Sequence, residues 1–261
     1  MNLKKTLMRL AAACIAAATL LTGAAHAELP SDYQVILLTE NFPPFNMADD
    51  DKNFARAENI HGMNADVIRE MFDRAGIGYD LSLRFPWDRL YNLALEKPNY
   101  AIFSTTLNES RKPLFKWVGP LSTTERVLVA APGKQFDLKS LEDATRYRIG
   151  AYKNSSTSQF LEKHDVPFES SLRDQENIQK LMNGQIDLWA TNDPVFRYFA
   201  RQEGVSGLQV VLVAEAGTQQ YLALNLETPD EVVQRLQAAL DAMKKDGTVA
   251  RIAQTYLGAT R

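Results

Sequence analysis

Apolar positions recur along this chain at two spacings, and the switch from one to the other marks out its elements. Tyr33 to Thr39 (YQVILLT) is a mostly apolar run of strand length, and it stops at Glu40-Asn41-Phe42-Pro43-Pro44-Phe45, where two prolines forbid continuation. Met63, Val67, Ile68, Met71, Phe72 and Ala75 then return at helical spacing, and Gly76 ends that helix. Tyr79, Leu81, Leu83 and Phe85 alternate with polar neighbours, the mark of a half-buried strand. Trp87, Leu90, Tyr91, Ala94 and Leu95 make a second helix, and Tyr100 to Ser104 the next strand. The order strand, helix, strand, helix, strand predicts a mainly parallel sheet with helices on its faces.

The second half follows the same logic with different residues. Tyr147 to Ala151 is a predicted strand, Asn154 to Ser158 a polar turn, and Ser158 to Lys163 a short helix. Glu176 to Met182 is a helix closed by Asn183-Gly184, and Ile186 to Ala190 is a strand. Asp193-Pro194 has the chemistry of a helix start. Near the end, Thr228-Pro229-Asp230-Glu231 reads as a capping box with Pro in the first turn, and Val233, Leu236, Leu240 and Met243 form one apolar face. Asp246-Gly247-Thr248 separates that helix from a last one reaching Tyr256.

The first 27 residues stand outside this pattern. Lys4, Lys5 and Arg9 precede an apolar run of 12 residues, Leu10 to Leu21, and Ala25-His26-Ala27 places small residues where a signal peptidase cuts. About 20 apolar residues are needed to span a bilayer, so the run reads as a secretory signal cleaved after Ala27, and the remainder as a protein of the periplasm. The whole chain has 261 residues and a charge of −3. Without the leader and its three basic residues, 234 residues and a charge of −6 remain, which argues against nucleic acid as a partner. The single cysteine, Cys14, leaves with the leader, so neither a disulfide nor thiolate chemistry is expected in the working protein.

Candidate chemistry is found mostly by elimination. His61 and His164 have no histidine partner at metal-ligand spacing, so neither a metal nor any other cofactor is expected. There is no Gly-x-Ser-x-Gly elbow and no phosphate-binding glycine loop, and no catalytic residue is assigned. Binding is therefore favoured over catalysis. Ser104-Thr105-Thr106-Leu107-Asn108-Glu109-Ser110-Arg111 follows a predicted strand at the end where α/β sheets gather ligands, and Arg111 offers a carboxylate two parallel donors. The same residues also suit a solvated turn with a surface arginine. Asn154 to Ser158 offers hydroxyls and N–H groups at a helix start, fit for an anion or for plain capping. Phe42 and Trp87 follow strands and suit an apolar ligand face, although Trp87 also fits a helix core. Asp193 can meet an ammonium or cap its helix.

These segments, in this order, resemble the bacterial extracellular solute-binding proteins of family 3. The resemblance rests on Phe42-Pro43-Pro44-Phe45, Gly62-Met63-Asn64-Ala65-Asp66, Ser104 to Arg111, Gly150 to Ser156, Gly184 to Asp187 and Asp246 to Thr248. It implies a two-lobed clamshell of the type II periplasmic-binding-protein kind, each lobe a mainly parallel sheet flanked by helices. Lobe one would take residues 28–123 plus 218–261 and lobe two residues 124–217, with crossings near Ser122 to Glu125 and Ala216 to Gln220. Carried over, the pattern puts Arg111, Thr106 and Ser156 on a ligand carboxylate, Ser104 and Asp193 on its ammonium, and Phe42 and Trp87 around its side chain. Asn192 competes with Asp193 for the acidic position. If Asn192 faces the ligand, the ammonium loses its counter-charge. Asn64 and Asn154 depart from the Asp and Gly usual at their positions.

The implied function is a monomeric receptor that captures a small carboxylate-bearing ligand, an amino acid or small organic acid, and delivers it to a membrane ABC permease. Two alternatives share the scaffold. One is an exported cyclohexadienyl dehydratase, with Glu40, Glu109 or Asp193 as general acid. The other is a ligand-sensing module for a membrane partner.

Overall fold

A computed structural model describes residues 29–49 and 52–257. The expected leader and Cys14 lie outside the described residues. The body of the protein begins at Gln34.

Eleven strands and seven helices are described. The strands are β1 (Gln34–Thr39), β2 (Met47–Ala48), β3 (Ala55–Arg56), β4 (Ile60–His61), β5 (Gly78–Leu83), β6 (Tyr100–Thr106), β7 (Lys116–Ala130), β8 (Ile149–Tyr152), β9 (Glu169–Ser171), β10 (Leu188–Asp193) and β11 (Gln209–Leu224). The helices are α1 (Met63–Ala75), α2 (Trp87–Glu96), α3 (Ser156–Lys163), α4 (Glu176–Met182), α5 (Val195–Gln202), α6 (Asp230–Lys245) and α7 (Thr248–Leu257). Nine strands form one sheet in the order β3-β5-β1-β6-β11-β7-β10-β8-β9.

That sheet has two parallel wings. In the first, β1 lies parallel to β5 and β6; in the second, β8 lies parallel to β10 and β9. Between the wings run β11 and β7, long and antiparallel to each other, with β6 and β10 attached antiparallel on either side. Helix α2 covers the first wing, where Leu90 and Ala94 pack on Leu38 and Ile102. Helix α3 covers the second, where Leu161 packs on Ile149 and Leu188.

Helix α1 forms where the spacing puts it. Met63, Val67, Ile68, Met71, Phe72 and Ala75 are all buried, and Gly76 takes the left-handed conformation (φ +61°) that closes the helix. Its opening N–H groups are met by another segment: Met63 N–H donates to the Pro44 carbonyl (3.0 Å), and Asn64 N–H to the Phe45 carbonyl (2.7 Å). Gly62 makes this approach possible, because a Cβ there would stand 2.5 Å from the Phe45 carbonyl oxygen.

Several local expectations are corrected. Strands β7 and β11 are not visible as period-two patterns, because each crosses both wings and its register shifts repeatedly, between Glu215 and Thr218 among other places. Asp193 does not cap α5. It ends β10 and holds Arg197 through contacts of 2.7 to 3.0 Å. The capping box before α6 is not made either, since no side chain caps that helix and the buried Thr228 hydroxyl has no partner. Val232, rather than Val233, faces the core.

Candidate functional site

All six strands of the two wings point their carboxyl ends at one cleft, the position at which open α/β sheets bind ligands. The first wing delivers Glu40 after β1, Arg84 and Phe85 after β5, and Ser104 and Thr106 at the end of β6. The second delivers Tyr152 from β8, Arg173 and Asp174 after β9, and Asn192 from β10. The cleft opens to solvent at its mouth, and the empty space it bounds, that solvent included, is about 960 Å³.

Arg111 lies in this cleft and is only 3% exposed. Its guanidinium sits over the rings of Tyr91 (5.3 Å) and Trp87 (5.9 Å), and its buried Nε has no hydrogen-bond partner. No carboxylate among the described residues forms a salt bridge with it. Burial pushes it down to about 10, and the nearby charge of Arg126 acts in the same direction. A buried cation without a counter-ion is costly, so the site is electrostatically incomplete for an anion.

Around Arg111 the two wings meet through hydroxyls. Thr106 Oγ1 donates to Ser156 Oγ (3.1 Å), and Gln220 Nε2 donates to Thr106 Oγ1 (3.2 Å). Capping and cleft duties divide within one turn: Ser155 accepts the Ser158 N–H (3.1 Å) and caps α3, which leaves Ser156 and Thr157 for the cleft. Asn154 takes a positive φ of +58°, a conformation that asparagine tolerates better than most residues.

Of the eight residues expected at a ligand, seven line the cleft: Arg111, Thr106, Ser104, Ser156, Phe42, Trp87 and Asn192. Ser104 is committed to the protein, since its hydroxyl donates to Asn46 Oδ1 and accepts from Asn64 Nδ2 (2.9 Å). Asp193 is outside the lining, paired with Arg197. Asn192 is inside, held by Thr124 (3.3 Å) and Thr157 (3.4 Å). The neutral member of that pair therefore faces the cleft.

Two acids line the cleft, and protein donors meet both. Tyr152 Oη, from the second wing, bonds both oxygens of Glu40 in the first (2.7 Å each). Glu40 is 8% exposed; burial, helped by the charges of Asp88 and Asp174, pushes its carboxyl up to about 8 against the opposing Tyr152 bond. Asp174 accepts from Trp189 Nε1 (2.8 Å) and Thr191 Oγ1 (2.7 Å), and burial holds it up at about 6. Glu109 is exposed and does not line the cleft. Tyr152, Asp174, Gln220, Arg84 and Arg173 were not singled out by sequence reasoning, although their places at strand ends, or on β11 in the case of Gln220, were the available signal.

The chain belongs to the bacterial extracellular solute-binding proteins, family 3, whose sequence profile matches residues 35–259. It is similar to the L-cystine-binding protein TcyA of Bacillus subtilis (strain 168), 19% identical over 217 residues, which are 83% of this chain and 78% of that one. An ancestral arginine-binding protein bound to arginine superposes with a TM-score of 0.74 at 22% identity, covering 87% of this chain and 99% of the other. The ancestral amino acid-binding protein AncCDT-1, a precursor of cyclohexadienyl dehydratase, gives 0.70 at 18% identity, with 85% and 95% covered. At these identities the structural likeness is one of fold.

Proposed function

We propose that this protein is a periplasmic receptor, exported by a signal peptide cleaved after Ala27, that captures a small carboxylate-bearing solute of the amino-acid class and delivers it to an ABC-type permease. The observation that carries the reading is Arg111: a buried guanidinium in a cleft lined from both wings, without a carboxylate partner among the described residues. In this reading Arg111 takes the carboxylate as two parallel charge-assisted bonds, Thr106 and Ser156 assist, and Phe42 and Trp87 bound the side chain. Residues 28–123 with 218–261 act as one lobe and residues 124–217 as the other. The register break between Glu215 and Thr218 supports a hinge there. Ligand contacts made from both sides favour closure because they exist only in the closed state.

Isothermal titration against the twenty amino acids and small organic acids tests this reading. Binding tighter than millimolar is expected for at least one, and its absence across the panel rejects the reading. A second reading is favoured by Glu40, a carboxyl held protonated at neutral pH inside the cleft, as a general acid requires. It makes the protein a cyclohexadienyl dehydratase, and prephenate incubated with it would yield phenylpyruvate. No turnover, with binding retained, excludes the enzyme and keeps the receptor.

A further inference from the structure

The cleft treats its acids and its arginines unequally. Glu40 and Asp174 each accept hydrogen bonds from the protein. Arg84 and Arg173 also line the cleft, are exposed, and form no ion pair among the described residues. Arg84 Nε donates to Ser82 Oγ (3.1 Å), and its guanidinium lies over Phe54 (5.8 Å). Arg173 lies over Phe85 (5.6 Å), the residue next to Arg84. Arg173 follows β9 in the second wing, so it reaches across the cleft to the corner of the first wing that carries Arg84. Arg84 and Arg173 thus line the same cleft, one from each wing, and neither has an ion-pair partner among the described residues, so an anion entering there would be attracted by both.

We propose that the ligand carries at least two anionic groups, one on Arg111 in the depth of the cleft and a second at its mouth between Arg84 and Arg173. This rests on the carboxylate reading of Arg111 and narrows it to short dicarboxylic acids, acidic amino acids and their phosphonate analogues. Each wing supplies one mouth arginine. The second anion therefore touches both arginines only when the wings are together, and it contributes to closure as well as to affinity. Of the adjacent pair it is Asn192, and not Asp193, that lines the cleft; Glu40 is pushed up to about 8, and the remaining acid, Asp174, is already held by Trp189 and Thr191.

Titration calorimetry on pairs of probes that differ by one charge tests the proposal: glutarate against its monoamide glutaramate, and L-glutamate against L-glutamine, with 3-phosphonopropionate as the phosphonate arm. Each probe with two acid groups is expected to bind about tenfold or more tighter than its partner with an amide end, with an advantage that shrinks as salt is raised, since the mouth is exposed. In the double variant Arg84→Gln/Arg173→Gln that ratio collapses to within about twofold. Both positions are exposed, so an unchanged melting temperature certifies the fold. Tightest binding by 3-phosphonopropionate supports the proposal and assigns the second group as phosphonate. A ratio near one in the parent, or a ratio that survives in the double variant, overturns it. Arg111→Met keeps the two readings apart: loss of both members of a pair, with a parental ratio near one, leaves the carboxylate at Arg111 standing and removes only the second anion. Binding of no probe of either charge overturns both.

Discussion

Replacing Arg111 with methionine should move stability and binding in opposite directions. In the ligand-free protein the guanidinium is buried and lacks a counter-charge. Its fall to about 10 corresponds to roughly 3 kcal/mol of disfavour toward the charged form. The rings of Tyr91 and Trp87 return about 1 kcal/mol as cation–π attraction. Methionine keeps an unbranched apolar stem against those rings and removes the charge, so Arg111→Met should gain about 1–2 kcal/mol, or about 2–8 °C in melting temperature. Binding should suffer the reverse. A carboxylate brought into the cleft would lose its partner there, at about 3–5 kcal/mol, or more than about a hundredfold in Kd. Thermal melting without ligand and calorimetry with it measure the two effects on one preparation. A clear fall in melting temperature would make Arg111 a structural residue, and unchanged affinity would remove it from the ligand; either result refutes the reasoning.

The pH dependence of stability should carry the mark of Glu40. The folded protein keeps that proton up to about pH 8, whereas an unfolded glutamate releases it near 4.5, so stability should fall as pH rises across that interval, by up to about 1.4 kcal/mol per pH unit. Asp174 contributes with the same sign below about 6. Urea midpoints from pH 5 to 9 should slope downward in the parent, and the slope above pH 6 should vanish in Glu40→Gln; a slope that persists there would give it another source. Gly62→Ala should cost at least about 2–3 kcal/mol, from a positive φ of +123° and a Cβ pressed against the Phe45 carbonyl, and a melting temperature within 2 °C of the parent would contradict the close approach that opens α1. Asn192→Asp adds a negative charge to the cleft and should weaken acids without an amino group by about tenfold, whereas Asp193→Asn, outside the lining, should stay within about twofold. The opposite ranking by calorimetry would put Asp193 at the ligand.

How far the sequence could be read depended on whether one element kept one environment. Helix α1 presents a single face to a single core, so its apolar spacing and Gly76 were sufficient to find it, nearly residue for residue. Strands β7 and β11 pass from one wing to the other, and the face they bury changes along the way, so no simple period marks them. The site divides along similar lines. Arg111, Thr106, Ser156 and Phe42 belong to segments with a recognisable order, Trp87 is an aromatic residue just after a strand, and the cleft gathers all five. The choice between Asn192 and Asp193 turned on strand alternation at the end of β10, which places adjacent side chains on opposite sides. The Glu40–Tyr152 bond joins residues 112 positions apart in different wings, so only the folded chain reveals it. Capping went the other way: Thr228 and Asp193 have cap chemistry at the right spacing, but the first is buried without a partner and the second holds Arg197.

Whether a small acid binds in this cleft through Arg111 can be read from a crystal structure with the tightest ligand of the calorimetric panel. A carboxylate is expected within about 3 Å of both terminal nitrogens of Arg111, with Thr106 and Ser156 beside it and contacts from both wings. A ligand found elsewhere, or one lying in the cleft with no acid group against Arg111, would contradict it.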